Sequence, residues 1–246
     1  MAGHSKWANI KFRKAAQDAK RGKLFTKLIK EITVAARMGG GDPDANPRLR
    51  AAVDKALSSN MTRDTVKRAI SRGAGDLDGV DYEELRYEGY ASSGVAVLVE
   101  CTTDNRNRTV SEVRHAFSKY GGNLGTDGSV SYLFTRLGSI CFSADIDEDQ
   151  VMEVAIEAGA EDVSNTADGM LEVITSPDDF HEILATLKKA ELQPESAEIE
   201  QRASVDVELN DEDAEKVLRF LDALDDLDDV QNVYTNASFP DDLEEA

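Results

Sequence analysis

Between Ser139 and Arg202 the chain reads as strand, helix, strand, strand, helix, strand, and few folds accept that order. The strands are Ser139 to Ser143, Glu161 to Ser164, Met170 to Thr175 and Ala197 to Arg202, and the helices are Asp147 to Ala158 and Pro177 to Ala190. Alternating apolar runs mark the strands, and a 3.6-residue period marks the helices. The order β-α-β-β-α-β is the ferredoxin-like signature.

The segments on either side belong together. Upstream, ELRYEGY and VAVLVEC read as paired strands, Arg106 to Tyr120 as a helix closed by Gly121 and Gly122, and VSYLF (130–134) as a further strand. Downstream, VDVEL, a helix from Asp211 to Asp225 and the strand VQNVYT lack a core of their own. They are expected to complete the sheet begun at Glu84, which makes the ferredoxin-like unit an insertion.

The N-terminal part is helical. From Lys23 to Met38, Leu24, Phe25, Leu28, Ile29, Ile32, Ala35 and Ala36 fall on one arc of about 140°, with Lys23, Lys27, Lys30 and Arg37 opposite, so the helix should have a basic outer face. GGGDPDA ends it. Asn46 and Pro47 then open a second helix to about Ser59, and a third runs from Thr62 to Gly73. Leu49, Val53, Leu57, Val66 and Ile70 should point inward. The expected fold is therefore α+β: a basic helical domain at 1–75, a discontinuous α/β domain at 80–136 and 203–246, and the inserted ferredoxin-like domain at 137–202. The linker GAGDLDG, from Gly73 to Gly79, suggests a hinge after the bundle.

Charge divides the chain in the same place. Up to Arg72 there are 17 basic and 6 acidic residues, a formal +11, and the remainder holds 11 basic and 42 acidic, a formal −31. A cationic module on an acidic body is suited to a polyanion, because phosphate backbones bind through counterion release while the acidic part discourages indiscriminate adhesion. Lys6, Lys11, Arg13, Lys14, Lys20, Arg21 and Lys23 interleave with Trp7 and Phe12, which adds stacking rings to phosphate contacts.

Other motifs carry less. Ser59-Asn60-Met61 could join a helix-turn-helix with Arg63, Lys67, Arg68 and Arg72 outward, but that face has no Asn or Gln for bidentate adenine readout. TTDNRNRT places Arg106 and Arg108 where a strand meets a helix N-terminus, a candidate anion site. GGNLG follows a helix and precedes a strand, the reverse of a phosphate loop. Asp42-x-Asp44-x-Asn46 fails as a calcium loop because Pro47 stands where Gly is required. The carboxylates from Asp211 to Asp229 read as a solvated helix face. Cys101 and Cys141 sit in apolar runs without CxxC spacing and should be buried thiols. The histidines are scattered, so no enzyme, metal site or cofactor is expected. Neither a secretory signal nor a membrane span is evident, which implies a cytoplasmic protein without a membrane partner.

The stretch MAGHSKWANIKFRKAAQDAKRGKLFTKLIKEI, with GGGDP, NPRLR, YEGY, TDNRNRT, VRHAF and GGNLG, closely resembles the YebC/PmpR family. That resemblance implies a helical bundle, then an α/β domain interrupted by a ferredoxin-like one. It also implies a role in gene expression, since the family is described as probable transcriptional regulators, with relatives linked to the ribosome and organellar translation. Phe12, Thr62 and Ala91-Ser92 depart from the usual His, Pro and Gly-Pro. Carried over as nucleic-acid-binding positions are Lys6, Trp7, Lys11, Arg13, Lys14, Lys20, Arg21, Lys23, Lys27 and Lys30. The leading expectation is a DNA-binding transcriptional regulator, with a protein partner at the acidic domains. The alternatives are a translation factor contacting rRNA in the ribosome, and an acidic protein-interaction scaffold.

Overall fold

The computed structural model describes residues 21–75, 77, 81–166 and 169–240. Contacts divide the chain into two compact units, one comprising Tyr132–Asp206 and the other the bundle, the segment up to Ser131 and the part from Val207 onward.

The bundle consists of α1 (Arg21–Gly39), α2 (Pro47–Ser58) and α3 (Arg63–Ala74). Its core gathers Leu28, Ile32, Ala35 and Ala36 with Leu49, Ala52, Ala56, Met61, Val66 and Ala69. Leu57, expected inside, is 37% exposed. It lies at the edge of the apolar arc of α2, and the turn beyond Ser58 brings Met61 into the core instead. Helices α2 and α3 each pack chiefly on α1. The α1–α3 crossing is close because Gly73 lacks a side chain: a Cβ there would lie 2.3 Å from the carbonyl oxygen of Thr33 and 2.7 Å from Ala36 Cβ. Buried Asn46 settles the α1–α2 turn. Its Oδ1 accepts from Leu49 N at 3.1 Å, and its Nδ2 donates to the carbonyls of Ala35 (2.8 Å) and Gly40 (2.9 Å), so one side chain caps two helices. Helix α3 runs one residue past Gly73 and ends at Gly75, whose φ of 88° is left-handed.

The same unit contains β1 (Glu83–Tyr90), β2 (Ala96–Thr103), α4 (Arg106–Lys119) and β3 (Asn123–Leu124). After the insertion come β8 (Val207–Glu208), α7 (Asp211–Asp225), β9 (Val230–Thr235) and β10 (Ala237–Ser238). The returning chain does complete the first sheet: strand order is β3-β1-β2-β9, antiparallel throughout, with Leu98 opposite Tyr234 and Val99 opposite Val233. Helices α4 and α7 bury Val113, Phe117, Val217, Phe220, Leu221 and Leu224, and Phe117 meets Phe220 edge to face at 4.8 Å.

Ion pairs join the bundle to the residues that open the sheet, while linker residues 76 and 78–80, where a hinge was expected, lie outside the described residues. Arg48 grips Glu31 with Nε (2.7 Å) and Nη2 (3.0 Å) and reaches Glu84 on β1 with Nη2 at 2.6 Å, and Arg37 meets Asp81 at 2.9 Å. The sequence shows Gly and Asp in the linker but cannot show that residues on either side of it are charge-matched.

The second unit is ferredoxin-like. It contains β4 (Phe134–Phe142), α5 (Glu148–Glu157), β5 (Asp162–Asn165), β6 (Leu171–Thr175), α6 (Phe180–Lys189) and β7 (Ser196–Ala203). All pairings in its sheet, ordered β5-β6-β4-β7, are antiparallel. The separate strand expected at 130–134 is absent: Ser131–Leu133 form a single 3-10 turn, and one continuous strand starts at Phe134. Ile140, Phe142, Leu171 and Val173 face Val151, Ala155, Ile183 and Leu187 in one core. On the alternate residues of the sheet, Ser139 donates to Glu172 at 2.5 Å and Arg202 holds Glu172 with both terminal nitrogens at 2.6 and 3.0 Å. Cys101 and Cys141 are buried and unbridged.

Candidate nucleic-acid interface

Helix α1 presents lysines at i, i+4 and i+7, which align on one face of a helix. That face is not a solvated cationic surface. Lys23 Nζ meets both the carbonyl and Oδ1 of Asp226 at 3.0 Å, and Lys27 Nζ meets the same two atoms of Asp225 at 3.0 Å. Lys30 is buried, and its Nζ reaches Asp229 Oδ1 and the Asp228 carbonyl at 2.8 Å and the Thr102 carbonyl at 3.2 Å. The lysines thus sit at the C-terminal end of α7, where main-chain carbonyls lack helical partners and the helix dipole is negative. Asp225, Asp226 and Asp229, expected to be solvated, are instead the acidic half of this ladder. Side-chain exposure falls along it, from 44% and 59% at Lys23–Asp226, through 15% and 23% at Lys27–Asp225, to 8% and 2% at Lys30–Asp229.

Asp229 is also where the expected anion site lies. Arg108 donates to it from Nε (3.1 Å) and Nη2 (2.7 Å), Thr103 donates at 3.0 Å and Thr109 at 2.8 Å. Burial alone would raise this carboxyl, but hydrogen bonds from Lys30, Arg108 and Thr109 outweigh it and hold the group down at about 2. Arg108 is pushed above its ordinary range by Asp229 and Asp104. The anion at the start of α4 is therefore the protein's own Asp229, brought by the turn that leads from α7 into β9. Arg106, the other expected member, is exposed and has no ion pair among the described residues.

Of the ten positions expected to contact nucleic acid, Lys6, Trp7, Lys11, Arg13, Lys14 and Lys20 lie outside the described residues, and Arg21 opens α1. Lys23, Lys27 and Lys30 form the ladder, so Lys30 does not belong to an accessible cationic face. A different set does. Arg63, Lys67, Arg68 and Arg72 are exposed on α3, opposite Val66, Ala69 and Gly73, and none has an ion pair among the described residues. The sequence signalled them through helical spacing, but with no partner pattern to distinguish a binding face from a solvated one.

Elsewhere, a groove of about 200 Å³ between α4 and α7 is lined by Glu112, His115, Ala116, Lys119 and Tyr120 with residues of the α7 end. It brings no Ser, Thr or Cys to His115. Among the described residues no group of three or more His, Cys, Asp or Glu could hold a metal, and no helix is long and apolar enough to cross a membrane.

Fold and charge together define an α+β protein with its cations gathered on one helical module and a ferredoxin-like unit inserted in the rest. Residues 5–76 match the TACO1/YebC protein N-terminal domain, and residues 82–237 match the TACO1/YebC second and third domain. The chain belongs to the TACO1/YebC family. It is 65% identical over 246 residues to a "probable transcriptional regulatory protein" of Thioalkalivibrio sulfidiphilus, covering 100% of this chain and 99% of that one. A "probable transcriptional regulatory protein" of Methylococcus capsulatus is 64% identical over 243 residues, covering 99% and 98%. The crystal structure of a conserved hypothetical protein from Aquifex aeolicus superposes with a TM-score of 0.83 at 48% identity, covering 93% of this chain and 95% of that one.

Proposed function

We infer that this protein is a non-enzymatic regulator of gene expression that binds nucleic acid, DNA in the leading reading, through its basic N-terminal region. The observation that carries the inference is the division of charge: a formal +11 up to Arg72 on a remainder of −31. Phosphate contacts of this kind give affinity and register, and they are shared by duplex DNA and rRNA. The cations of residues 6–21 would supply the main contacts, and Arg63, Lys67, Arg68 and Arg72 on α3 would extend them along the bundle. The names of the relatives favour transcription; Trp7 beside Lys6 favours RNA, whose unstacked bases can stack on an aromatic ring.

Reversing charge at Lys11, Arg13 and Lys14 together tests the reading. Binding to a 20-base-pair duplex should be lost with the melting temperature unchanged. For about five phosphates, the wild-type slope of log affinity against log salt should be about −4.5 on duplex and about −3.5 on single strands. A salt-insensitive affinity would refute the charge argument. Sedimentation of lysate then separates the targets: co-migration with ribosomes that survives DNase supports rRNA.

A further inference from the structure

We propose that the acidic end of α7 is an intramolecular competitor for nucleic acid: Asp225 and Asp226 engage Lys23 and Lys27 in the unbound protein, and a phosphate backbone displaces them. This rests on the function proposed above and adds to it a regulatory contact on the same basic module.

The geometry supplies the competition. Each of the two ammonium groups donates to a carboxylate oxygen and a main-chain carbonyl at 3.0 Å, and the same N–H donors are the ones that a phosphate oxygen would use. The two rungs are unequal to the third. Lys23–Asp226 is exposed, and an exposed ion pair is weak and yields to salt or to a denser anion; Lys27–Asp225, at 15% and 23% exposure, is the intermediate rung and yields after it. Lys30–Asp229 is buried, and its carboxylate is also tied by Arg108, Thr103 and Thr109. The ladder can therefore open from its N-terminal end, which follows the cations of residues 6–21 in sequence, while the inner rung keeps α1 attached. Exposed Asp228 adds negative charge to the same end of α7, so a weakly charged anion is repelled before it meets the lysines. A purely structural ladder predicts something different: removing its acids would loosen α1 and leave affinity the same or lower.

The experiment uses the full chain and a fluorescein-labelled 20-base-pair DNA duplex, with anisotropy measured at 50 mM KCl. D225N/D226N should bind at least threefold more tightly than wild type. E212Q/E215Q removes the same charge from the same helix, at acids paired with Lys216 and Arg219 rather than with α1, and should gain less than half as much. Equal gains in the two variants, or no gain in D225N/D226N, overturn the proposal. If the double variant melts early, D226N alone replaces it, since that pair is exposed; it should still bind more tightly than wild type, and an unchanged affinity would overturn the proposal. The K11E/R13E/K14E protein in the same assay separates the two inferences. Binding that survives this triple reversal defeats the proposed function and the competitor with it. Binding lost there, without a specific gain in D225N/D226N, defeats the competitor alone.

Discussion

Replacing Asp229 by Asn should be the most damaging single conservative change in the bundle-bearing unit. The carboxylate is 2% exposed and accepts from Lys30 at 2.8 Å, Arg108 at 2.7 Å, Thr103 at 3.0 Å and Thr109 at 2.8 Å. Removing one member of a buried pair leaves the other charge uncompensated, which typically costs about 3–5 kcal/mol. Two features place the expected cost near the lower bound. Lys30 keeps the carbonyls of Thr102 and Asp228, and Arg108 is 43% exposed and keeps Asp104. About 3 kcal/mol in a protein of this size lowers the melting temperature by about 6–12 °C, measurable by calorimetry. A double-mutant cycle with Lys30→Met isolates the pair, and the double variant should be at least about 1 kcal/mol more stable than the sum of the singles implies, because no charge is then left buried alone. Acid titration gives an independent reading. A carboxyl held at about 2 in the folded state, against an ordinary 3.8, contributes about 2 kcal/mol that is fully present above about pH 5 and lost as pH falls through 3.8 toward 2. The variant should lack that part of the acid limb. A loss below about 1 kcal/mol, or an unchanged acid limb, would refute the assignment of Asp229 as the point that ties α1, α4 and β2 together.

The other predictions concern packing and reactivity. Gly73→Ala should destabilise by about 1–2 kcal/mol, since overpacking against the Thr33 carbonyl and Ala36 outweighs the gain of about 1 kcal/mol for Ala in a helix. Gly22→Ala, with nothing among the described residues within 4 Å of the new Cβ, should stabilise instead, so paired thermal melts give opposite signs. Burial pushes the Cys101 thiol up to about 12 and the Cys141 thiol up to about 11. Neither should react with a disulfide reagent at pH 8 in the native protein, and both should react in denaturant; native labelling would contradict the burial.

The parts of this fold that were legible in the sequence are those that local pattern controls. The ferredoxin-like order, the three helices, the Asn46 cap and the return of the chain to the first sheet all follow from periodicity, capping residues and the lack of a separate downstream core. What escaped is pairing between distant segments. Lys23, Lys27 and Lys30 look like an outward basic stripe because their helix has one apolar face, and Asp225, Asp226 and Asp229 look solvated for the same reason. Each inference is sound for its own helix, yet the two charged faces meet across about 200 residues of sequence, a relation that no window on one helix can contain. Arg108 misled in the same way: a helix N-terminus with an arginine does select an anion, but the turn before β9 delivers one from within the chain. Formal charge therefore overstates the cations of α1 available to a polyanion, and among the described residues the exposed set on α3, with no ion pair there, is the cationic face left open to one.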